Sequence, residues 1–155
     1  MIRVDVPGMG ILSFHFLVLD LNGTLTLDGD LIPGVRERLE TLAGNLDIHI
    51  LTADSLGRAA EIGRDLPVTL KNIPEKDQVE EKRSYVRHLP RRCVAVGNGR
   101  NDTGMLADAA LGIAVLGPEG VFARAVHAAD VCVRDINDAL DLLINTDRLK
   151  ATLRS

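Results

Sequence analysis

Short apolar runs alternate along this chain with stretches whose apolar residues recur at helical spacing. "FHFLVLD" (14–20) reads as a buried strand, and "PGVRERLETLAG" (33–44) as a helix with Pro33 in its first turn and Val35, Leu39 and Leu42 on one face. "DIHILT" (47–52) predicts a second strand, and "DSLGRAAEIGRDL" (54–66) a helix with Asp54 or Ser55 as N-cap. "PVTL" (67–70) follows as a short strand, then a helix over 75–89, then the strand "RCVAVG" (92–97). A helix over 101–110, a strand over 111–116 and a helix over 119–129 come next. A short strand over 130–133 and a helix over 136–144 complete the alternation, with the tail "TDRLKATLRS" either continuing that helix or docking separately.

Strand–helix alternation with unbroken apolar strands predicts an α/β fold, a doubly wound Rossmann-like parallel sheet covered on both faces. Residues 1–13 predict a small N-terminal antiparallel ribbon. "LTLDGDLI" (25–32) predicts a hairpin flap, because Asp28-Gly29 sits between apolar-rich arms. At 155 residues, without repeats or linker, residues 1–155 are expected to form a single domain.

Composition narrows the classes without choosing among them. Hydrophobic residues make up 46% and charged residues 26%, as in ordinary globular chains. The net charge of −4 gives no basis for a nucleic-acid or anionic-membrane partner, and no apolar run approaches a membrane span. "MIRVDVPGMG" lacks the apolar centre of a signal peptide, so a cytoplasmic location is expected. Cys93 and Cys132, isolated and in apolar runs, read as two buried thiols rather than a zinc or disulfide framework.

In a doubly wound sheet the chemistry lies beyond the carboxyl ends of the strands. Here that means after Asp20, Thr52, Leu70 and Gly97. Asp20 can attack phosphorus as a carboxylate, and Gly23 permits a tight turn whose N–H groups face a phosphate. Thr52 offers a hydroxyl. In "GNGRND" (97–102), Asn98, Asn101 and Asp102 offer oxygen ligands suited to Mg²⁺. Lys82 or Lys76 would supply the cation that phosphoryl transfer needs. Each feature alone also fits a plainer role: an Asx turn at 20–23, a loop and N-cap at 97–102, a solvated lysine. Their order along the chain and their placement at strand ends favour a site. His15 and His49 read as packed or edge residues and His88 and His127 as helix-face residues, while Arg100 is either site-facing or solvated.

The arrangement resembles the haloacid dehalogenase-like (HAD) superfamily of phosphotransferases over residues 14–145. "LDLNGTLTLDG" is similar to the first motif, Asp-x-Asp-Gly-Thr. "ILTAD" is similar to the second, and "VAVGNGRNDTGMLADAALGIAV" to the fourth, Gly-Asp-Gly-x-Asn-Asp, with its following helix and strand. The last stretch looks most like the phosphorylation domain of P-type ion-pumping ATPases, where a lysine followed seven residues later by Leu precedes the motif. Lys82 with Leu89 fits that register and Lys76 does not. The resemblance is to the soluble, capless, P-type-ATPase-like group.

This resemblance implies a set of roles. Asp20 would be nucleophile and Mg²⁺ ligand, with the Asn22 carbonyl as second ligand. Gly23, Thr52 and the Ala53 N–H would hold phosphate. Lys82 would orient Asp20 and neutralise the phosphoryl group, and Asn98 and Asp102 would complete the metal site, directly or through water. Two residues depart from the pattern. Asn22 stands where the phosphatases have a general acid–base Asp, and an amide cannot transfer that proton. Asn98 stands where the family gives a carboxylate to Mg²⁺, so weaker binding is expected. The expected function is slow, Mg²⁺-dependent phosphohydrolysis through an aspartyl phosphate on Asp20, acting on a phosphorylated small molecule or protein. The alternatives are a non-catalytic binding protein and one that stores the phosphoryl group. Residues 25–46 and 54–81 leave no room for a cap domain, so an open site is expected, with a homo-oligomer completing it.

Overall fold

The computed structural model describes residues 1–53 and 57–155. The chain begins with an antiparallel ribbon, β1 (Ile2–Val6) against β2 (Gly10–Phe14). Ile2, Val4 and Val6 alternate inward and Arg3 and Asp5 outward, the two-residue period of a half-buried strand. The next strand, β3 (Phe16–Asp20), starts later than the sequence reading of 14–20. Phe14 belongs to the ribbon, and the chain changes sheets at His15. The His15 N–H donates to Arg92 O (3.0 Å) and its carbonyl accepts from Asp47 N (2.9 Å), tying the crossing to both neighbouring strands.

A two-stranded hairpin follows, β4 (Thr26–Leu27) and β5 (Asp30–Leu31). Its turn residues Asp28 and Gly29 have φ of 53° and 86°, the doubly positive pattern of a type I′ turn. Then come α1 (Val35–Ala43), β6 (Asp47–Thr52), α2 (Arg58–Arg64), β7 (Thr69–Asn72) and α3 (Gln78–His88). The Asp54 and Ser55 caps expected for the second helix lie outside the described residues. The second half holds β8 (Cys93–Gly97), a 3-10 turn (Arg100–Asp102), α4 (Thr103–Asp108), β9 (Leu111–Val115) and α5 (Ala123–Ala128). It ends with β10 (Val131–Val133), α6 (Ile136–Ile144) and α7 (Thr146–Leu153). The tail is therefore a separate helix, broken from α6 at Asn145 and buried through Leu149 beside β1.

Among the described residues, six strands form a parallel sheet in the order β10-β9-β8-β3-β6-β7. Counted along the chain this is the 3-2-1-4-5-6 order of a doubly wound fold, so the α/β, Rossmann-like expectation holds. The sheet is covered on both faces because successive β3 side chains point opposite ways. Leu17 and Leu19 join a core with Val35 and Leu39 of α1 and Ile136 and Leu140 of α6. Val18 joins the other, with Val86 of α3, Met105 of α4 and Ala125 of α5. Arg38 and Asp141 bridge α1 and α6 through two hydrogen bonds of 2.8 and 3.1 Å.

Two expectations are corrected. The third predicted strand is displaced: pairing of His49 with Thr69 through Thr52 with Asn72 carries it to Asn72 rather than Leu70. The thiols differ as well. Cys93 is buried, which pushes its thiol up to about 11, whereas Cys132 faces outward on the edge strand β10 between Val131 and Val133. No helix among the described residues is long and apolar enough to cross a membrane.

Candidate active site

The strand order reverses at β3, with β6 and β7 on one side and β8, β9 and β10 on the other. The carboxyl ends of β3, β6 and β8 converge there, which brings Asp20, Thr52 and Asn98 around one cavity of about 300 Å³. Lys82, Asn22, Ala53 and Glu119 also line it.

After Asp20 the backbone turns sharply. Leu25 N (2.9 Å) and Thr26 N (3.1 Å) both donate to Leu21 O, and Gly23, at φ 77°, donates to Thr26 O (3.0 Å). This turn leaves Asn22 exposed at the mouth and buries Thr24 beneath it. The Thr24 hydroxyl lies 3.2 Å from Asp20 Oδ2 and 3.1 Å from Asn98 Oδ1.

Lys82 arrives from α3. That helix lies close against α4 at Gly104, where an added Cβ would sit 2.9 Å from Val79 O and 2.8 Å from Arg83 Cβ. The ammonium is 2.5 Å from Asp20 Oδ1 and 2.8 Å from Asp102 Oδ1, with the lysine 1% exposed. Lys76 is exposed and lies away from the cavity lining, so the structure brings Lys82 to Asp20. Asp102, fully buried, also accepts from the N–H groups of Asn98 (3.0 Å) and Gly99 (2.8 Å) through Oδ2. Both its oxygens thus carry hydrogen bonds, Oδ1 from Lys82 and Oδ2 from the two N–H groups.

Electrostatically, three charges share a buried space. Burial, then the Asp102 carboxylate, push Asp20 up to about 7, against the opposing pull of Lys82 and Thr24. Burial works against the Lys82 ammonium, but Asp20 and Asp102 outweigh it and hold it above its ordinary value. We take the pair as ionised, because a 2.5 Å contact between a lysine and a carboxylate oxygen is a charge-assisted hydrogen bond.

No group of three or more His, Cys, Asp or Glu side chains that could hold a metal occurs among the described residues. Apart from the Lys82 ammonium, the groups turned toward Asp20 nonetheless offer oxygens, those of Thr24 and Asn98, the chemistry Mg²⁺ takes. The single Thr24 hydroxyl proton faces two acceptors, Asp20 Oδ2 and Asn98 Oδ1, which leaves oxygen lone pairs available to a hard cation. The residues present therefore fit a Mg²⁺ ion, at a low charge count.

Sequence reasoning assigned no role to Thr24, Gln78 or Glu119. Thr24 lies within "LDLNGTLTLDG", but only the fold turns its hydroxyl toward Asp20. Gln78 accepts from Asn101 Nδ2 (2.9 Å) at the cavity edge. Glu119 comes from the loop after β9, a strand whose end carried no chemical signal. A larger groove of about 730 Å³ adjoins the cavity through Gln78 and Asn101. Its carboxylates, Glu75, Asp77, Glu80 and Glu81, are exposed and share the lining with the exposed Arg100 but no lysine, so the smaller cavity, where Lys82 meets the buried Asp20, is the chemical one. Among the histidines, His49 packs between Phe16 and Tyr85 and bonds Tyr85 Oη at 2.8 Å. His88 bonds Ser84 on its own helix.

No family model matches the chain. Uncharacterized protein MJ0073 of Methanocaldococcus jannaschii is 52% identical over 64 residues, 41% of this chain and 69% of that protein. Among solved structures, the 3-deoxy-D-manno-octulosonate 8-phosphate phosphatase of Moraxella catarrhalis, in complex with magnesium ion, phosphate ion and its sugar acid, superposes with a TM-score of 0.66 at 18% identity. The match covers 91% of this chain and 94% of that one. A zinc-transporting PIB-type ATPase matches with a TM-score of 0.59 at 28% identity, over 78% of this chain but 20% of the pump. The chain belongs to the same family as the Methanocaldococcus jannaschii protein, and it has the fold of the HAD superfamily hydrolases.

Proposed function

We propose that the protein is a Mg²⁺-dependent phosphohydrolase of the P-type-ATPase-like kind that works through an aspartyl phosphate on Asp20. The observation that carries this reading is the buried Asp20 carboxylate held by Lys82 at the sheet's switch point, beside Thr52 and a cavity of about 300 Å³. The phosphatase likeness and the higher identity to the pump's segment both support it.

An Asp20 oxygen attacks phosphorus, the bond from phosphorus to the leaving oxygen breaks, and that oxygen departs with its electron pair. Lys82 offsets negative charge on the transferring group, and Thr52 with the Ala53 N–H receives its oxygens. Bound Mg²⁺, held by Asp20, the Asn22 carbonyl and Asn98, would supply further charge neutralisation. Asn22 has no proton to give the leaving oxygen, so good leaving groups, such as aryl or acyl phosphates, are favoured. For the same reason, attack of water on the aspartyl phosphate lacks a base at position 22. The intermediate is then long-lived, and a phosphate-storing role is the second reading. It is favoured by that one residue.

The site is proposed to be capless, since the described chain between β3 and α1 holds only the β4–β5 hairpin. An open cavity suits a protein substrate or a lid from a second copy, and light scattering at micromolar concentration would show an oligomer if the second holds. A single domain over residues 1–155 and a cytoplasmic location belong to the same proposal.

The decisive experiment follows p-nitrophenyl phosphate hydrolysis with Mg²⁺, and acetyl phosphate labelling by mass spectrometry, for native protein and Asp20→Asn. Slow hydrolysis and labelling at Asp20, both lost in Asp20→Asn, are expected. If both proteins are equally inert and neither is labelled, the chain is a binding module.

A further inference from the structure

We propose that Glu119 is a working part of the cation site and supplies the carboxylate that position 98 lacks. The inference rests on the Mg²⁺-dependent reading above and goes beyond it in naming a residue outside the strand-end motifs.

Asn98 is more than a carboxylate with one charge removed. Its Nδ2 donates to Gly120 O (3.1 Å), and its own carbonyl accepts from Phe122 N (2.9 Å). The side chain's orientation is thereby fixed. With Nδ2 on the Gly120 carbonyl, Oδ1 must face Thr24 and the cavity. An aspartate at 98 would put a carboxylate oxygen against the Gly120 carbonyl, two acceptors with no proton between them. The amide thus fastens the loop between β9 and α5 at two points. The loop is pinned at its start as well, since Leu116 and Gly117 donate to Val133 O and Arg134 O, both at 2.9 Å.

Glu119 sits between these attachments. Its carboxylate leans over Gly23, where an added Cβ would lie 2.5 Å from Glu119 Oε2 and 3.1 Å from Asn98 Nδ2. A Cβ there would displace the end of the Glu119 side chain, and φ of 77° at position 23 favours glycine. Glu119 lines the cavity with Asp20, Asn22 and Asn98, and it makes no hydrogen bond or ion pair among the described residues. Its backbone neighbours are held while its charge is left available.

The charge count makes this consequential. With both Asp102 oxygens committed to Lys82 and the Asn98–Gly99 N–H groups, Asp20 alone would bring negative charge to a cation. Glu119 makes the set two carboxylates with amide and carbonyl oxygens, a donor set suited to a hard divalent ion. The negative charge absent from the end of β8 is restored from the loop that Asn98 itself holds in place.

The test is Mn²⁺ binding by the full chain, read as loss of the free-ion electron paramagnetic resonance signal, which requires no turnover. Native protein, Glu119→Gln, Glu119→Gln/Asn98→Asp and Glu75→Gln are titrated side by side, with circular dichroism confirming that each is folded. Glu119→Gln is expected to weaken binding by about 10–100-fold. The double variant returns charge at position 98 but gives up the bond from Nδ2 to Gly120 O, so it should regain only part of that loss. Glu75→Gln, an acid of the adjoining groove, should leave binding unchanged. Glu119→Gln superposing on native overturns the proposal. So does an equal loss from Glu75→Gln, or a native chain that binds no Mn²⁺. Asp20 labelling on the same preparations separates the two readings: label with an unaltered Glu119→Gln titration sinks only this inference. Native Mn²⁺ binding that Glu119→Gln weakens, with Asp20 unlabelled, sinks only the phosphoryl-transfer reading.

Discussion

Lys82 Nζ lies 2.8 Å from Asp102 Oδ1, the lysine 1% and the aspartate 0% exposed. Asp20 Oδ1 completes the arrangement at 2.5 Å from the same ammonium. Two buried carboxylates thus share one cation, and each group is tolerable there only because of the others. Asp102 also gathers the N–H groups of Asn98 and Gly99, so the same side chain that holds the lysine shapes the turn after β8.

Removing the cation from this triad strands two buried carboxylates. Lys82→Met is expected to lose about 3–5 kcal/mol of stability, the usual cost of breaking a buried ion pair. Adding Asp102→Asn should return part of it by removing one orphaned charge. Urea unfolding of the single and double variants measures both, and a Lys82→Met midpoint equal to native would refute the buried-triad account.

Asn22 is exposed at the mouth of the cavity, where a replacement side chain is free to meet substrate. Asn22→Asp should raise p-nitrophenyl phosphate turnover, by as much as roughly 10²–10⁴-fold if the missing proton is the main obstacle. The gain should be larger for alkyl than for aryl phosphates, since poor leaving groups need the proton more. No gain with either substrate means that the amide is not what limits the rate.

The approach of α3 to α4 is set at Gly104, whose position leaves no room for a Cβ between Val79 O and Arg83. Gly104→Val should push α3 outward, costing roughly 1–3 kcal/mol as overpacked sites do. Because Lys82 rides on α3, phosphoryl labelling of Asp20 should fall in protein that remains folded. Labelling at the native level in folded Gly104→Val would show that the lysine's position does not depend on this contact.

His49 gives a pH dependence far from the cavity. Burial, then the Lys71 charge, hold its pKa below the ordinary 6.5, opposed by Asp47. Between the folded pKa and about 6.5 the unfolded chain binds more protons, so stability rises with pH across that window. The native midpoint in urea should therefore drop as pH falls below about 6.5, and His49→Gln should drop less. Parallel curves for the two proteins would contradict this.

Much of the fold was legible in the sequence because burial on both sides of a parallel sheet leaves unbroken apolar runs. The apolar run over 17–19 and the helical spacing of Val35, Leu39 and Leu42 carry that signal, and all six residues are buried. Boundaries were less legible. The run 14–20 hides a change of sheet at His15, which backbone bonds to Arg92 and Asp47 decide, and the register on β6 decides where β7 ends. Cys132 shows the same limit, since apolar neighbours do not reveal that a strand lies at an edge.

For the site, sequence order and the strand-end rule located Asp20, Thr52, Asn98 and Asp102, because local backbone geometry places the last residue of a strand at the sheet's edge. Lys82 needed a resemblance to be preferred over Lys76, and helix packing at Gly104 is what delivers it. Thr24 and Glu119 depended on tertiary structure altogether. A hydroxyl two residues past an exposed amide turns inward only once the loop closes on Leu21 O, and a loop glutamate reaches Gly23 only when strands distant in sequence lie side by side. The sequence by itself determined which chemical groups the chain possesses and which strand ends carry them. Tertiary structure decided which charges meet, because proximity between residues far apart in the chain is a property of packing.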